Sequence, residues 1–136
     1  MALKYIADKS ALARVKHATV AARLAPILGQ IATCSIVDLE VLFSARTHAE
    51  LAATLRERRG FPRVDIDQSD FDRAVHVIER LGRVGHHRAA SIPDLIIAAV
   101  AERHQLTVLH YDKDFEVIAR VTGQSVEWVV PAGTVA

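Results

Sequence analysis

Two aspartates stand directly after short apolar segments of the chain, where a side chain can reach a ligand. Asp8 follows the segment 4–7, and Asp112 follows the segment 106–109 after two intervening residues. If both segments are strands of a parallel sheet, their carboxyl ends meet at the edge where α/β proteins bind ligands. Each aspartate could equally be the N-cap of a following helix, because Asp is favoured at that position. Both interpretations stay open at the level of sequence.

Two further carboxylates lie on predicted helix faces that are otherwise apolar. Glu40 shares a stripe with Ile36, Leu39 and Phe43, and the i, i+3, i+4, i+7 spacing is typical of a face turned to the core. Asp94 lies in the first turn of a predicted helix that is apolar on nearly every side. An unpaired carboxylate in such surroundings must be protonated, paired with a cation or bound to a metal. A buried arginine beside Glu40, or a favourable helix N-terminus at Asp94, would be simpler explanations.

Together the four carboxylates form a set of hard oxygen ligands, which fits Mg²⁺ or Mn²⁺ better than zinc. Cys34 is the only cysteine, so the sequence contains neither a disulfide nor a cysteine-based zinc site. Two divalent cations about 3.5–4 Å apart activate a water molecule and stabilise the leaving oxygen in phosphodiester cleavage. Asp8, Glu40, Asp94 and Asp112 therefore indicate a metal-dependent nuclease.

The elements that must position these side chains alternate along the chain. Strands are predicted over 4–7, 31–34, 106–109 and 126–130. Helices are predicted over 11–28 with a break near residue 17, and over 35–46, 48–59, 69–81, 93–104 and 112–121. This alternation favours an α/β fold with a mainly parallel sheet. No linker or repeat divides the sequence, so residues 1–136 are predicted to form a single domain.

The charge balance limits the partners that the chain can have. The formal net charge is only +1, which excludes a uniformly basic nucleic-acid binder. The charges are unevenly distributed, however, since residues 55–63 and 73–88 are basic and residues 91–127 are acidic. A nuclease needs both signs, to hold cations and to track a phosphate backbone. The longest apolar run, 95–101, is too short to span a membrane, and with one cysteine and no export signal a cytoplasmic location is predicted.

Four short segments carry a resemblance to a known family: Asp8–Leu12, Val37–Glu40, Ile92–Ala99 and Tyr111–Phe115. Each segment alone is weakly diagnostic. Their order and spacing over the whole chain resemble a PIN-domain ribonuclease, and in particular the VapC toxins of type II VapBC toxin–antitoxin systems. The resemblance implies a three-layer α/β/α sandwich around a short, mainly parallel sheet, and endoribonuclease activity with Mg²⁺ or Mn²⁺.

The resemblance also implies roles for individual carboxylates. Asp8, Glu40, Asp94 and Asp112 match the acidic quartet of the family. Asp8 and Asp94 would be the most direct metal ligands. Glu40 and Asp112 would complete the coordination shell, or position water and a second cation.

Three supporting residues lie beside the quartet. Ser10 matches a hydroxyl of the family motif that would bond Asp8 or a metal-bound water. Asp114 matches an additional acid, which would be either a further ligand or a helix cap. Lys9 departs from the threonine that most relatives carry there. Its ammonium group could contact the scissile phosphate or could point away from the site.

The implied partners are an RNA substrate, such as tRNA, rRNA or mRNA, and a cognate VapB antitoxin that inhibits the enzyme. A homodimer or a toxin–antitoxin hetero-oligomer is the implied assembly, without a membrane. One alternative is a PIN fold that serves as an RNA-binding or regulatory module without catalysis. Another is a receiver-like Mg²⁺-binding signalling domain. Such a domain needs two adjacent acidic residues after its first strand, whereas here Asp8 is followed by Lys9 and Ser10.

Overall fold

The computed structural model describes residues 2–136 and contains one sheet in which all neighbouring strands are parallel. The strands are β1 Tyr5–Ala7, β2 Ile31–Ala32, β3 Thr107–His110 and β4 Val126–Trp128. Their order in the sheet is β2–β1–β3–β4. The helices of the described residues are α1 Lys9–Leu12, α2 Ala18–Leu24, α3 Ser35–Phe43, α4 His48–Arg59, α5 Gln68–Gly82, α6 Ile92–Arg103 and α7 Lys113–Thr122.

Helices cover both faces of this sheet. Ile6 and Val108 lie in the larger core cluster, together with side chains of α3, α5, α6 and α7. Ala7 and Leu109, the next residues along the same strands, lie in a second cluster with α1, α2 and the segment after β4. Successive side chains of a strand point to opposite faces, so each strand contributes to both cores. The predicted α/β/α sandwich with a parallel sheet is confirmed.

Helix α6 lies inside the larger core, where it contacts α5, α7 and β3. All of its residues from 94 to 101 are buried. Its start is fixed by Pro93 in the first turn and by Ser91, whose hydroxyl oxygen accepts a hydrogen bond from the N–H of Asp94 at 3.3 Å. This capped helix therefore carries one carboxylate, Asp94, into an interior that is otherwise apolar.

The single helix predicted over 11–28 is wrong, although the predicted break near residue 17 is confirmed. The segment forms α1, then α2 with His17 as its N-cap, then a 3₁₀ helix over Ala25–Gln30. Pro26 lies in the first turn of the 3₁₀ helix. Proline has no N–H to continue an α-helical ladder and clashes with the preceding turn, which explains why α2 ends at Leu24. The high helix propensity of residues 11–28 does not indicate where α1 and α2 end.

Only part of the apolar stripe predicted on α3 faces the core, where Ile36 is half-buried against the larger core cluster. Leu39 and Phe43 are 62% and 92% exposed, whereas Val37 and Asp38 are buried. The buried side of α3 is set by Asp38, which forms an interior ion pair with Arg58 of α4. A charge that finds such a partner can be buried in place of an apolar residue. Leu39 and Phe43 of the predicted stripe consequently lie at the protein surface.

Candidate metal-binding site

Asp8 lies where β1 ends beside β3. Its backbone N–H donates to the carbonyl of Leu109 at 2.9 Å. As the N-cap of α1, it accepts hydrogen bonds at Oδ2 from the N–H and the hydroxyl of Ser10, at 2.9 and 2.6 Å. Its other oxygen, Oδ1, is buried and has no hydrogen-bond partner among the described residues. Buried carboxylate oxygens are normally bonded, so Oδ1 is available to a group from outside the polypeptide.

Asp112 has the same arrangement two residues beyond the end of β3. It is the N-cap of α7, and its Oδ1 accepts a hydrogen bond from the N–H of Asp114 at 2.9 Å. Ser10 joins the two strand ends, because its hydroxyl oxygen accepts from the N–H of Tyr111 at 2.8 Å while it donates to Asp8. Each cap uses one carboxylate oxygen. The cap and the ligand interpretations of both aspartates are therefore compatible.

Asp94 and Asp114 bring the starts of α6 and α7 together. Asp94 is only 5% exposed. Asp114 is half-buried, and its Oδ2 accepts a hydrogen bond from the N–H of Ser91, the N-cap of α6, at 3.0 Å. One carboxyl group thus ties the first turn of α7 to the residue that positions Asp94.

The acidic side chains form two sets that share Asp94. Carboxylate oxygens of Asp8, Glu40 and Asp94 lie within 4.8 Å of one another, and so do those of Asp94, Asp112 and Asp114. Oxygens bound to one Mg²⁺ at about 2.1 Å lie at most about 4.2 Å apart. Both sets therefore fit a divalent cation after small side-chain movements. The structure brings the whole predicted quartet together, with Asp114 beside it.

The electrostatics of this pocket are unfavourable without a cation. Burial raises the pKa of Asp94 to about 9, and the negative charges of Asp8 and Asp112 act in the same direction. Burial and the charge of Asp8 also raise the pKa of Glu40, whereas Lys9 lowers it. Both carboxyl groups therefore lie in surroundings that disfavour their negative charge, first through burial and then through neighbouring carboxylates. A divalent cation would neutralise it.

Lys9 and Glu40 lie at the mouth of the pocket rather than inside it. Both are half-buried, and both line a surface depression together with Leu39 and Phe43. The positive charge of Lys9 lowers the pKa of Glu40, so the two side chains act on each other electrostatically. A contact between Lys9 and the scissile phosphate stays a prediction.

The buried arginine considered as a partner for Glu40 exists but contacts a different acid. Arg58 donates to Asp38 at 2.9 Å and to the hydroxyl of Thr33 at 2.7 Å, and Arg63 also donates to Asp38. Burial acts to raise the pKa of Asp38, but these donors hold it below its usual range. Glu40 is thus left to the acidic pocket.

Sequence reasoning missed two residues next to the quartet. His110 is fully buried at the end of β3, where its Nδ1 accepts a hydrogen bond from the N–H of Asp112 at 3.1 Å. Its Nε2 lies 2.8 Å from a carboxylate oxygen of Glu116 in α7. Burial lowers the pKa of His110, although Glu116 opposes this effect. The sequence signal was a histidine directly after an apolar strand, which alone does not reveal its partners.

Comparisons with known proteins agree with this geometry. The family described as PIN domain matches residues 5–121. The chain is 42% identical to Ribonuclease VapC51 of Mycobacterium tuberculosis over 99% of both chains. It is 45% identical to Ribonuclease VapC21 of the same species, covering 98% of this chain and 99% of the relative.

Solved structures show the same fold. The DNA-bound VapBC complex of Salmonella typhimurium superposes with a TM-score of 0.73 at 20% identity, over 94% of this chain and 99% of the matched chain. VapBC-5 of Mycobacterium tuberculosis superposes with a TM-score of 0.65 at 26% identity, over 92% and 96%.

A short parallel sheet with carboxylates gathered at the carboxyl ends of β1 and β3 defines a PIN-type α/β protein, and the chain belongs to the PIN-domain family. Its relatives of 42–45% identity assign it to the VapC ribonucleases within that family. The receiver-domain alternative is thereby wrong. Within residues 2–136, each helix is too short or too polar to span a lipid bilayer.

Proposed function

We propose that this chain is a divalent-cation-dependent endoribonuclease and the toxin of a toxin–antitoxin pair. The observation that carries the proposal is a buried acidic pocket with two unusual members. Asp8 offers a buried oxygen without a hydrogen-bond partner among the described residues, and Asp94 is a nearly inaccessible carboxyl beside the negative charges of Asp8 and Asp112. Keeping such groups in an apolar interior costs stability, so a site that retains them uses them to hold cations. The ribonuclease names of the relatives support RNA as the substrate.

The donor set fits Mg²⁺ or Mn²⁺, because every donor is a carboxylate oxygen. When bound, such cations polarise the scissile phosphate and lower the pKa of an attacking water. In our proposal Asp8, Glu40 and Asp94 hold one cation, and Asp94, Asp112 and Asp114 hold a second. The residues of the chain supply the orientation of these ligands through the two helix caps.

Basic side chains around the pocket support binding of an RNA backbone. Lys9 directly follows Asp8, and Lys113 directly follows Asp112. Arg88 lies in the exposed segment 83–89, three residues before Ser91, whose N–H donates to Asp114 of the pocket. We propose that these three cations contact phosphates on either side of the cleaved bond. Structured RNA such as tRNA, rRNA or mRNA is the proposed class of substrate.

This RNA surface can be tested with a matched pair of double variants. Arg88→Ala with Lys113→Ala removes two cations beside the pocket, whereas Arg56→Ala with Arg59→Ala removes two exposed cations of α4. Binding of a fluorescent single-stranded RNA to metal-free protein is measured as a function of salt. Each phosphate contact contributes about 0.7 to the slope of log affinity against log salt. The first variant should lower the slope by about 1.4, and equal slopes for both variants would refute the surface.

A groove on the other side of α1 supports an antitoxin partner. It has a volume of about 610 Å³, and its wall is formed by α1, α2, α3 and α4. Its lining is mostly apolar, with Glu50 and Glu57 among the exposed lining residues, and Lys9 lines both this groove and the depression beside Glu40. We propose that a segment of a VapB antitoxin fills it, with apolar side chains in the groove and a basic side chain near the pocket. Exposed apolar residues of α3, Leu39 and Phe43, support assembly as a homodimer or a hetero-oligomer.

Two further points belong to the proposal. A cytoplasmic location suits an enzyme that acts on cellular RNA, and a single reduced cysteine is consistent with it. Residues 1–136 are taken as one PIN domain. The segment after β4 supports this, since Val129 and Val130 lie in the second core cluster and Val135 is hydrogen-bonded to the hydroxyl of Tyr111.

The experiment that tests the nuclease proposal uses purified protein freed of antitoxin. RNA should be cleaved with Mg²⁺ or Mn²⁺, EDTA should stop cleavage, and returning the cation should restore it. Asp8→Asn and Asp94→Asn should each be inactive, and Asp94→Asn should abolish growth arrest on expression. Metal binding without RNA cleavage would identify the chain as a PIN module without catalysis. Wild-type rates in either variant would refute the site.

A further inference from the structure

His110 and Glu116 form a buried hydrogen-bonded pair behind the acidic pocket. The ring of His110 is fully buried and packs against Phe115 and Trp128, with ring centroids 5.3 and 4.9 Å apart. Its two nitrogens contact different elements. Nδ1 lies 3.1 Å from the backbone N of Asp112, and Nε2 lies 2.8 Å from Oε2 of Glu116.

The protonation state of this ring follows from its partners. A backbone N–H can only donate, so Nδ1 must accept with its lone pair and carries no proton. The proton of the neutral imidazole is therefore on Nε2, which donates it to the carboxylate of Glu116. One tautomer of the neutral ring therefore satisfies both contacts.

We propose that His110 and Glu116 are a positioning pair, which holds Asp112 in the geometry that binds the cation. This inference rests on the proposed function, because it assumes that Asp112 is a metal ligand. The pair acts through the backbone of Asp112, and neither residue touches the RNA or the cation.

The geometry of the turn between β3 and α7 shows how the pair acts. Two successive N–H groups after β3 donate to side chains rather than to the sheet: that of Tyr111 to Ser10, and that of Asp112 to His110. Glu116 lies one helical turn beyond Asp112, so its bond to His110 fastens α7 to the end of β3. Asp112 is thus held from both sides. Partners that orient a ligand in this way typically contribute 10- to 100-fold to metal affinity.

Four variants of the full chain separate positioning from packing. His110→Phe keeps an aromatic ring but removes both nitrogens. His110→Asn keeps an acceptor for the N–H two residues later, as in an Asx-turn. Glu116→Gln keeps an acceptor for Nε2–H, and Glu116→Ala removes it. Mn²⁺ affinity is measured from the free-ion EPR signal, and kcat and KM for RNA are measured at saturating Mn²⁺.

We expect His110→Phe and Glu116→Ala to bind Mn²⁺ about 10- to 100-fold more weakly, with kcat lowered and KM for RNA unchanged. Glu116→Gln should stay within about threefold of wild type. His110→Asn, which keeps the acceptor for the N–H of Asp112 but loses the bond to Glu116, should lose less affinity than His110→Phe. Equal Mn²⁺ affinity in His110→Phe and wild type would overturn the proposal, as would equal losses in His110→Asn and His110→Phe. If circular dichroism shows that His110→Phe is unfolded, the comparison of Glu116→Ala with Glu116→Gln decides, since the side chain of Glu116 is 35% exposed.

Failure of the positioning role of His110 and Glu116 can be distinguished from failure of the proposed nuclease function. A wild-type protein that binds Mn²⁺ but leaves RNA intact would refute the nuclease, while the affinity comparison would still decide the role of His110. The tautomer gives an independent readout. Long-range proton–nitrogen NMR should show the His110 proton on Nε2 in wild type and in Glu116→Gln, and a proton on Nδ1 would overturn the inference.

Discussion

Replacing Asp94 by asparagine should stabilise the metal-free protein while it removes metal binding. Burial, together with the charges of Asp8 and Asp112, holds the pKa of Asp94 at about 9, compared with 3.8 in an unfolded chain. Between these values the folded protein binds a proton that the unfolded chain has released. The stability of the metal-free wild type must therefore fall as the pH rises from about 4 to 9.

The magnitude follows from the width of that window. Between 3.8 and pH 7 lie roughly three pH units, each equivalent to about 1.4 kcal/mol. The raised pKa of Asp94 thus costs the wild type up to about 4 kcal/mol at pH 7. Asparagine has nearly the same shape and cannot ionise, so Asp94→Asn should gain most of this free energy at pH 7 and much less at pH 5.

The assay is urea unfolding in EDTA at several pH values between 4 and 9, with Asp72→Asn as the control. Asp72 is an exposed carboxylate of α5, and its replacement should leave both stability and its pH slope unchanged. Added Mn²⁺ should stabilise the wild type increasingly as the pH rises, because the cation displaces the proton, and should not stabilise Asp94→Asn. A pH slope in Asp94→Asn as steep as in wild type would refute the reasoning, as would a variant less stable than wild type at pH 7.

Three further outcomes are expected. Asp8→Asn should keep its fold, because asparagine also caps a helix, but its rate of RNA cleavage should fall by at least about 100-fold. A retained cleavage rate at saturating Mn²⁺ would contradict the assignment of Asp8 as a ligand. Arg58→Ala should lower the free energy of unfolding by about 3–5 kcal/mol, because it leaves the buried charge of Asp38 without its buried partner. Arg63→Ala removes a side chain that is 45% exposed and should cost about 1 kcal/mol. Equal losses in urea unfolding would argue against the buried pair. Gly123→Ala should lower the free energy of unfolding by about 1–2 kcal/mol in the same assay. Gly123 ends α7 with φ of +71°, which disfavours a residue with a Cβ although no atom crowds that position. An unchanged unfolding midpoint would show that the backbone relaxes.

The strand-end carboxylates could be predicted from sequence because their signal is local. Asp8 follows a short apolar strand at once, and Asp112 follows another after two residues. The α/β alternation that makes those strands parallel neighbours is also visible along the chain. Asp94 was predictable for the same kind of reason, since it opens a helix whose surroundings in sequence are apolar.

Glu40 lies beside Asp8 and Asp94, although the premise that suggested it, a stripe turned wholly to the core, is wrong. The periodicity of α3 indicates an amphipathic helix but does not show which face a tertiary partner will bury. That partner is Arg58, twenty residues further along the chain, which draws Asp38 inward and turns Leu39 and Phe43 outward. His110 was missed for a related reason, because its role depends on hydrogen bonds to Asp112 and Glu116 that no spacing rule predicts.

The capping of α1 by Asp8 and of α7 by Asp112 has a consequence for handling the protein. Each carboxylate is anchored to its helix through one oxygen, so its place is set by the fold before any ion arrives. Chelation should therefore act as an on–off control rather than as a denaturant, unlike in zinc fingers, where the ion is needed for folding. A preparation stripped of metal should therefore stay folded and inactive, and returning Mg²⁺ or Mn²⁺ should restore its activity.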